Sequence, residues 1–212
     1  MLHKRERESI SQFDEWAPGY DHSVWSRYFN SGYKAALDCV ASHIGSHSNI
    51  LDIGCGTGAL ELLLSERVTH GAIVAMDISP QMILEARKKS RAHIKNAVFV
   101  TSTANSLPLQ SDSFDAVFVL NALHHFPDHE GFFQEASRVM KRSGRLVILD
   151  LIVDSFVRRA WTEAITLTCA ERDVEFHSRQ GIRDLGSKAH LRVEAQRTFW
   201  YFTAISVLKR HR

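Results

Sequence analysis

The sequence predicts an α/β protein: a mostly parallel sheet with helices on both faces. Three observations carry this. Strand-like and helix-like segments alternate from about residue 33 onward, a pattern that builds parallel crossovers. The strand-like runs are almost continuously apolar, as expected of strands covered on both faces. One of these runs turns through three closely spaced glycines, Gly54, Gly56 and Gly58, directly into a helix.

The elements follow in order. Tyr33 to Ile44 carries Ala36, Leu37, Val40, Ala41 and Ile44 at helical spacing. Asn49 to Ile53 is a short buried strand, and Ala59 to Arg67 returns to helix. Ala72 to Met76 is the second strand, followed by Asp77. Ser79 and Pro80 then start a helix, because Ser accepts from free first-turn amides and Pro tolerates that turn. It runs to about Ala92 with Met82, Ile83 and Ala86 inward. Ala97 to Ser102 is the third strand; Leu107-Pro108 and Ser111 to Ser113 punctuate the loop after it. Phe114 to Leu120 is the fourth. Phe132, Phe133, Ala136, Val139 and Met140 form the inner face of the next helix, Gly144 breaks the chain, and Arg145 to Leu151 is the fifth strand. A helix from Phe156 to Arg172 and a shorter one capped by Ser178 follow. Arg192 to Trp200 and Tyr201 to Leu208 are strands with so short a connection that they must pair antiparallel. There is no repeat, low-complexity segment or linker, so residues 1–212 read as one domain, with 1–32 a helical cap segment ahead of a core over 33–212.

The 212 residues suffice for one sizeable core. The formal net charge of +2 is too small to imply nucleic acid by electrostatics, and no nucleic-acid partner is expected. Three cysteines, Cys39, Cys55 and Cys169, are odd in number and widely spaced, which supports neither a zinc nor a disulfide pattern. They read as reduced thiols. The charged N-terminus lacks the apolar core of a signal peptide, and no stretch suits a membrane span. A cytoplasmic location is expected.

The most informative stretch is Ile50-Leu-Asp-Ile-Gly54-Cys-Gly56-Thr-Gly58. Glycines let a ligand approach the backbone closely, and the helix N-terminus after them offers unpaired amides to an anionic group. Asp77 ends the next strand about twenty residues on, where a carboxylate can accept from both hydroxyls of a ribose. The residues alone leave the cofactor open, because Gly54-x-Gly56-x-x-Ala59 also satisfies a looser dinucleotide fingerprint.

Several ordered segments resemble class I S-adenosylmethionine-dependent methyltransferases, especially the small-molecule branch with the ubiquinone and menaquinone C-methyltransferases. ILDIGCGTG resembles the family's glycine loop, VAMDISPQMILEAR its acidic-loop segment, SLPLQSDSFDAVFVLNALHHF its fourth-strand segment, RVMKRSGRLVILDL its fifth-strand segment, and FDEWAPGYD its N-terminal segment. The resemblance implies a Rossmann-like three-layer sandwich whose seven strands run 3-2-1-4-5-7-6, with strand seven antiparallel. It implies S-adenosylmethionine as cofactor, S-adenosylhomocysteine as product, and a small-molecule methyl acceptor. It also implies residue roles. The loop of Gly54, Cys55, Gly56 and Gly58 passes the methionyl part, Asp52 orients its amino group through water, and Asp77 holds the ribose. Ile78 packs on adenine and Asn121 contacts the methionyl moiety. Tyr20 either closes over that end or anchors the N-terminal helix.

One departure stands out. The family usually has Asp-Ala where this chain has Thr103-Ala104, and Thr103 supplies no negative charge to the adenine amine. Asn105 is placed to assist. His124 and His125 follow the fourth strand, beside the expected acceptor pocket. Either would deprotonate an acceptor near neutral pH, or the pair shapes the turn. His125 and His129 are spaced for a metal on a helix, but Pro127 between them spoils that geometry. Cys55 is either a reactive thiol or a small residue tolerated beside the cofactor. The acceptor is expected against the N-terminal segment, the loop after His125 and the helix from Phe156. A non-catalytic binding protein and a nicotinamide oxidoreductase are the rival readings; the acceptor, its attacking atom and the oligomeric state stay open.

Overall fold

The computed structural model describes residues 2–23, 25–91, 94–168 and 174–211. Its elements are α1 (Lys4–Trp16), α2 (Trp25–Cys39), β1 (Ile50–Ile53), α3 (Ala59–Ser65), β2 (Ile73–Asp77), α4 (Pro80–Ser90), β3 (Ala97–Thr101), β4 (Phe114–Leu120), α5 (His129–Val139), β5 (Met140–Leu151), α6 (Phe156–Thr168), α7 (Arg179–Lys188), β6 (Leu191–Phe199) and β7 (Thr203–Arg210). Cys169 and the expected ends of two helices, at Ala92 and Arg172, lie outside the described residues.

The sheet runs β3-β2-β1-β4-β5-β7-β6. β1 pairs parallel with β2 and β4, and β4 parallel with β5, while β7 pairs antiparallel with both β5 and β6. This is the predicted order and the predicted odd strand. Period-two alternation sorts the core into two layers. Ile50, Ile73, Ala116 and Phe118 face α2 and α3 through Ala36, Val40, Leu60 and Leu64. Leu51, Val117, Val119 and Ile148 face the other way, onto Phe132, Phe133 and Ala136 of α5 and Ile182 of α7. α4 covers the first layer near β2 and β3 through Ile83 and Ala86, against Ala75 and Phe99.

The fifth strand departs from expectation. It begins at Met140 and runs through Gly144, and its register against β4 jumps from Phe114↔Met140 to Ala116↔Arg145. Residues 141–144 form the bulge. A Cβ on Gly144 would lie 2.5 Å from the Met140 Cγ and 2.9 Å from the Phe114 oxygen, so glycine marks a close backbone approach here, not a break. The first core helix also sits earlier than its periodicity suggested, over Trp25–Cys39, with a 3-10 turn at Ala41–His43 after it. No helix among the described residues is long and apolar enough to cross a membrane.

Candidate active site

A cleft opens at the carboxyl ends of β1, β2 and β4, where the strand order reverses between β1 and β4. It encloses about 960 Å3 including its open mouth. One wall is the glycine turn. The Gly54 and Cys55 N–H groups both donate to the Met76 oxygen, at 2.7 and 3.0 Å, binding the turn to the end of β2. The three glycines have different reasons. Gly54 takes φ +80°, and a Cβ there would lie 2.4 Å from the Ala122 Cβ, so it lets the turn touch the loop after β4. Gly56 takes φ +53°, and a Cβ there would meet no protein atom beyond its chain neighbours within 4 Å, because it would project into the cleft. Gly58 caps α3, packs on Ala86 and Phe99, and does not line the cleft.

Asp77 lines the cleft and is only 8% exposed. Its Oδ2 accepts from the Gly56 N–H at 2.8 Å and its Oδ1 from the Ser79 N–H at 2.9 Å. Burial pushes its carboxyl up to about 6, against the pull of the Ser79, Gly56 and Ile78 amides. An ionised carboxylate has about four lone-pair sites, so both oxygens retain acceptor capacity. Beneath the turn, Asp52 and Glu61 are buried together off the cleft wall. Burial, then the neighbouring Glu61, raises the Asp52 carboxyl well above its usual range, and burial raises Glu61 to about 7.

Asn121 follows β4 with φ +55°, and its N–H donates to the Leu149 oxygen at 2.7 Å. Its side-chain Nδ2 is buried without an acceptor in the protein. Ile78, Ser102 and Ala104 line the far end; Thr103 between the last two does not. Asn105 is turned away, its Nδ2 donating to the Asp128 oxygen at 3.0 Å.

The N-terminal segment covers the cleft. Glu6, Ser9 and Phe13 of α1 line it, with Tyr20 and Asp21 after them. Asp14 Oδ1 accepts from the Ser79 hydroxyl at 2.5 Å and the Gln81 N–H at 3.2 Å, and so helps cap α4. Asp21 accepts from the Thr57 hydroxyl at 2.7 Å and pairs with Lys89 at 2.6 Å. Tyr20 stacks on Phe29 at 6.2 Å.

The two histidines divide. His124 is 5% exposed and off the cleft wall; its Nδ1–H points to Asp150 Oδ1 at 2.7 Å and its backbone N–H to Oδ2 at 3.2 Å. His125 lines the cleft edge-on to Phe13, ring centroids 4.9 Å apart. Burial, and then His124, holds its pKa well below the usual value, which keeps it neutral.

A family model described as a methyltransferase domain matches residues 51–148. A demethylmenaquinone methyltransferase of Thermotoga maritima is 37% identical over 151 residues, covering 70% of this chain and 64% of the relative. One of Thermus thermophilus is 34% identical over 143 residues, covering 65% and 63%. Residues 51–148 thus carry a methyltransferase-domain match, and the chain is similar to class I S-adenosylmethionine-dependent methyltransferases. It spans less than two thirds of the length of these relatives. In fold, the chain resembles the methyltransferase solved with the Haloferax volcanii Trm112 methyltransferase activator (TM-score 0.79, 22% identical, covering 94% of this chain and 98% of that one). It also resembles an S-adenosylmethionine-dependent methyltransferase of Aquifex aeolicus (TM-score 0.66, 21% identical, covering 82% and 88%).

Of the residues singled out by sequence, Tyr20, Gly54, Cys55, Gly56, Asp77, Ile78, Ala104, Asn121 and His125 meet on the cleft, whereas Asp52, Gly58, Thr103 and His124 stand behind it. Burial raises the Cys55 thiol well above its usual pKa, which removes the reactive-thiolate reading. Sequence reasoning missed Phe13, Phe29, Asn30, Tyr33 and Ser102 on the wall, and Asp14, Asp21 and Thr57 as fasteners. FDEWAPGYD held the signal for Phe13 and for Asp14 and Asp21, two acids flanking the aromatic anchors; Thr57 sits in the glycine turn, Ser102 follows β3, and Phe29, Asn30 and Tyr33 come from the tertiary return of α2.

Proposed function

We propose that the protein is an S-adenosylmethionine-dependent methyltransferase that methylates a small aromatic acceptor carrying a hydroxyl or activated ring carbon, of the quinol type. One observation carries the reading: the open face of Gly56 and the unpaired Asn121 amide lie in the same cleft as an apolar, aromatic wall of Phe13, Tyr20, Phe29, Phe126 and Pro127. The names of the similar quinone methyltransferases support the acceptor class.

The residues fit the cofactor. Asp77 would accept from the ribose hydroxyls, the Gly54 to Gly56 backbone and Asn121 would hold the methionyl part, and Ile78 with Ala104 would flank the base. When bound, S-adenosylmethionine supplies an electrophilic methyl group. The protein then has mainly to hold the acceptor in line and exclude water, and orientation of that kind contributes about 7–11 kcal/mol in favourable cases. α1, fastened through Asp14 and Asp21, closes the cleft from solvent. His125, neutral and edge-on to Phe13, orients an acceptor hydroxyl as a hydrogen-bond partner; its lowered pKa makes it a weak base. His124, fixed by Asp150, positions the turn.

The test is turnover. Incubation with S-adenosylmethionine and a panel of demethylated naphthoquinols, catechols and aliphatic carboxylates should yield S-adenosylhomocysteine with an aromatic hydroxylated acceptor. Cofactor binding without turnover on any acceptor would favour a binding protein, and NAD binding in its place an oxidoreductase.

A further inference from the structure

On the far side of the His124 turn, outside the cleft, three side chains distant in sequence converge: His129 at the start of α5, and Glu175 and His177 just ahead of α7. One ligand atom from each lies within 4.8 Å of the others. We propose that this is a site for a divalent transition-metal ion of the zinc type, held by two imidazoles and one carboxylate.

The local hydrogen bonding prepares the ligands. His129 Nε2 lies 3.0 Å from the Leu123 oxygen, which makes Nε2 the protonated nitrogen and leaves Nδ1 with its lone pair. A ring N–H donated to a backbone carbonyl is how metal-binding imidazoles are commonly oriented. His129 Nδ1 faces Glu175 Oε2 at 3.8 Å, too far for a hydrogen bond. Ligands of one tetrahedral zinc ion, at about 2.0–2.1 Å from it, sit roughly 3.4 Å apart, so a small contraction brings the pair onto an ion. His177 Nε2 is buried and has no partner in the protein. A buried imidazole nitrogen without a partner is costly, and a metal bond would satisfy it. The two imidazole planes are 88° apart with centroids 4.4 Å apart.

The backbone is held for the same purpose. The Glu175 N–H donates to the His124 oxygen at 2.9 Å, and His177 bridges to Ile152 at the end of β5. Arg5 approaches the same Glu175 oxygen at 3.8 Å, also beyond hydrogen-bond range, and would remain as an outer partner of the carboxylate. A small cleft lined by Asp150, Glu175 and His177 gives water access to a fourth position. Imidazole and carboxylate donors suit zinc better than the harder magnesium or calcium. The ion would staple residues 174–178 to the turn that carries His125, and so stiffen the acceptor side of the cleft.

The test uses the full chain without an affinity tag, stripped with a chelator and titrated with zinc against a chromophoric competitor. We expect one equivalent to bind, zinc to raise the melting temperature, and affinity to fall at least tenfold in both E175Q and H177A. Glu175 is exposed, so E175Q should fold as the parent does, and its melting curve should no longer respond to zinc. No stoichiometric binding at micromolar zinc, or binding unchanged in both variants, would overturn the proposal.

Discussion

Gly56 donates its backbone N–H to Asp77 Oδ2 at 2.8 Å. The acid that ends β2 and the glycine turn that leaves β1 are therefore one unit, and Asp77 shapes the site it also lines. Removing its carboxyl strips acceptors from the Gly56 and Ser79 amides together.

Asp77→Ala should thus do two things. Affinity for S-adenosylhomocysteine should fall by about 1.5–3 kcal/mol, the range for a hydrogen bond to a charged group, and the melting temperature should fall as well. Calorimetry and thermal melts separate the effects. Unchanged affinity in a folded variant would remove Asp77 from the ribose role.

Stability should decline with pH through the buried pair. Burial raises Glu61 to about 7 and raises Asp52 well above its ordinary value. A folded-state pKa above the unfolded one means the native state binds more protons between the two. The contribution is therefore full below about pH 4.5 and is lost as pH rises toward 7, on the order of 3 kcal/mol for the Glu61 shift. Urea melts from acid to neutral pH should show this fall, and Glu61→Gln should flatten it. A slope unchanged in that variant would place the titration elsewhere.

His125→Ala should lower turnover about tenfold or more through misplacement of the acceptor, with S-adenosylhomocysteine affinity nearly unchanged. Because burial holds His125 neutral, the wild-type rate should show no His125 ionisation between about pH 6 and 8. An inflection there that disappears in the variant would restore the general-base role.

Asp14→Ala should remove the second cap of α4, on the Gln81 amide, while the Ser79 cap on Met82 stays, at a cost of about 1 kcal/mol or less. It should also loosen α1 over the cleft, so that S-adenosylhomocysteine leaves faster. Stopped-flow displacement reads the rate; an unchanged rate would mean that α1 does not gate the cleft.

The sheet was legible in sequence because Ile50 to Ile53 and Phe114 to Leu120 are mostly buried and read as apolar runs interrupted by a single acid each, Asp52 and Asp115. The antiparallel end was legible from the short turn between β6 and β7. Gly144 misled because a glycine reads alike whether it breaks a strand or lets a bulge approach the Phe114 oxygen. In the site, Gly56 and Asp77 announce themselves by position on a strand–turn–helix unit. Thr103 and His124 do not, since one residue's step along the chain decides whether a side chain faces the cleft, and both neighbours, Ala104 and His125, do. The convergence of His129 with His177 was invisible, because it depends on how the segment before α7 returns to β5.

The central claim, that S-adenosylmethionine occupies the cleft against Gly56, is tested most directly by titrating S-adenosylhomocysteine into wild type and Gly56→Val. A Cβ at Gly56 meets no protein atom beyond its chain neighbours within 4 Å, so the variant should fold, with a strain cost of about 1–3 kcal/mol for a branched residue at positive φ. Circular dichroism checks that it does. The account predicts one site in the wild type and no measurable binding in the folded variant; a folded Gly56→Val protein that binds as wild type does would contradict it.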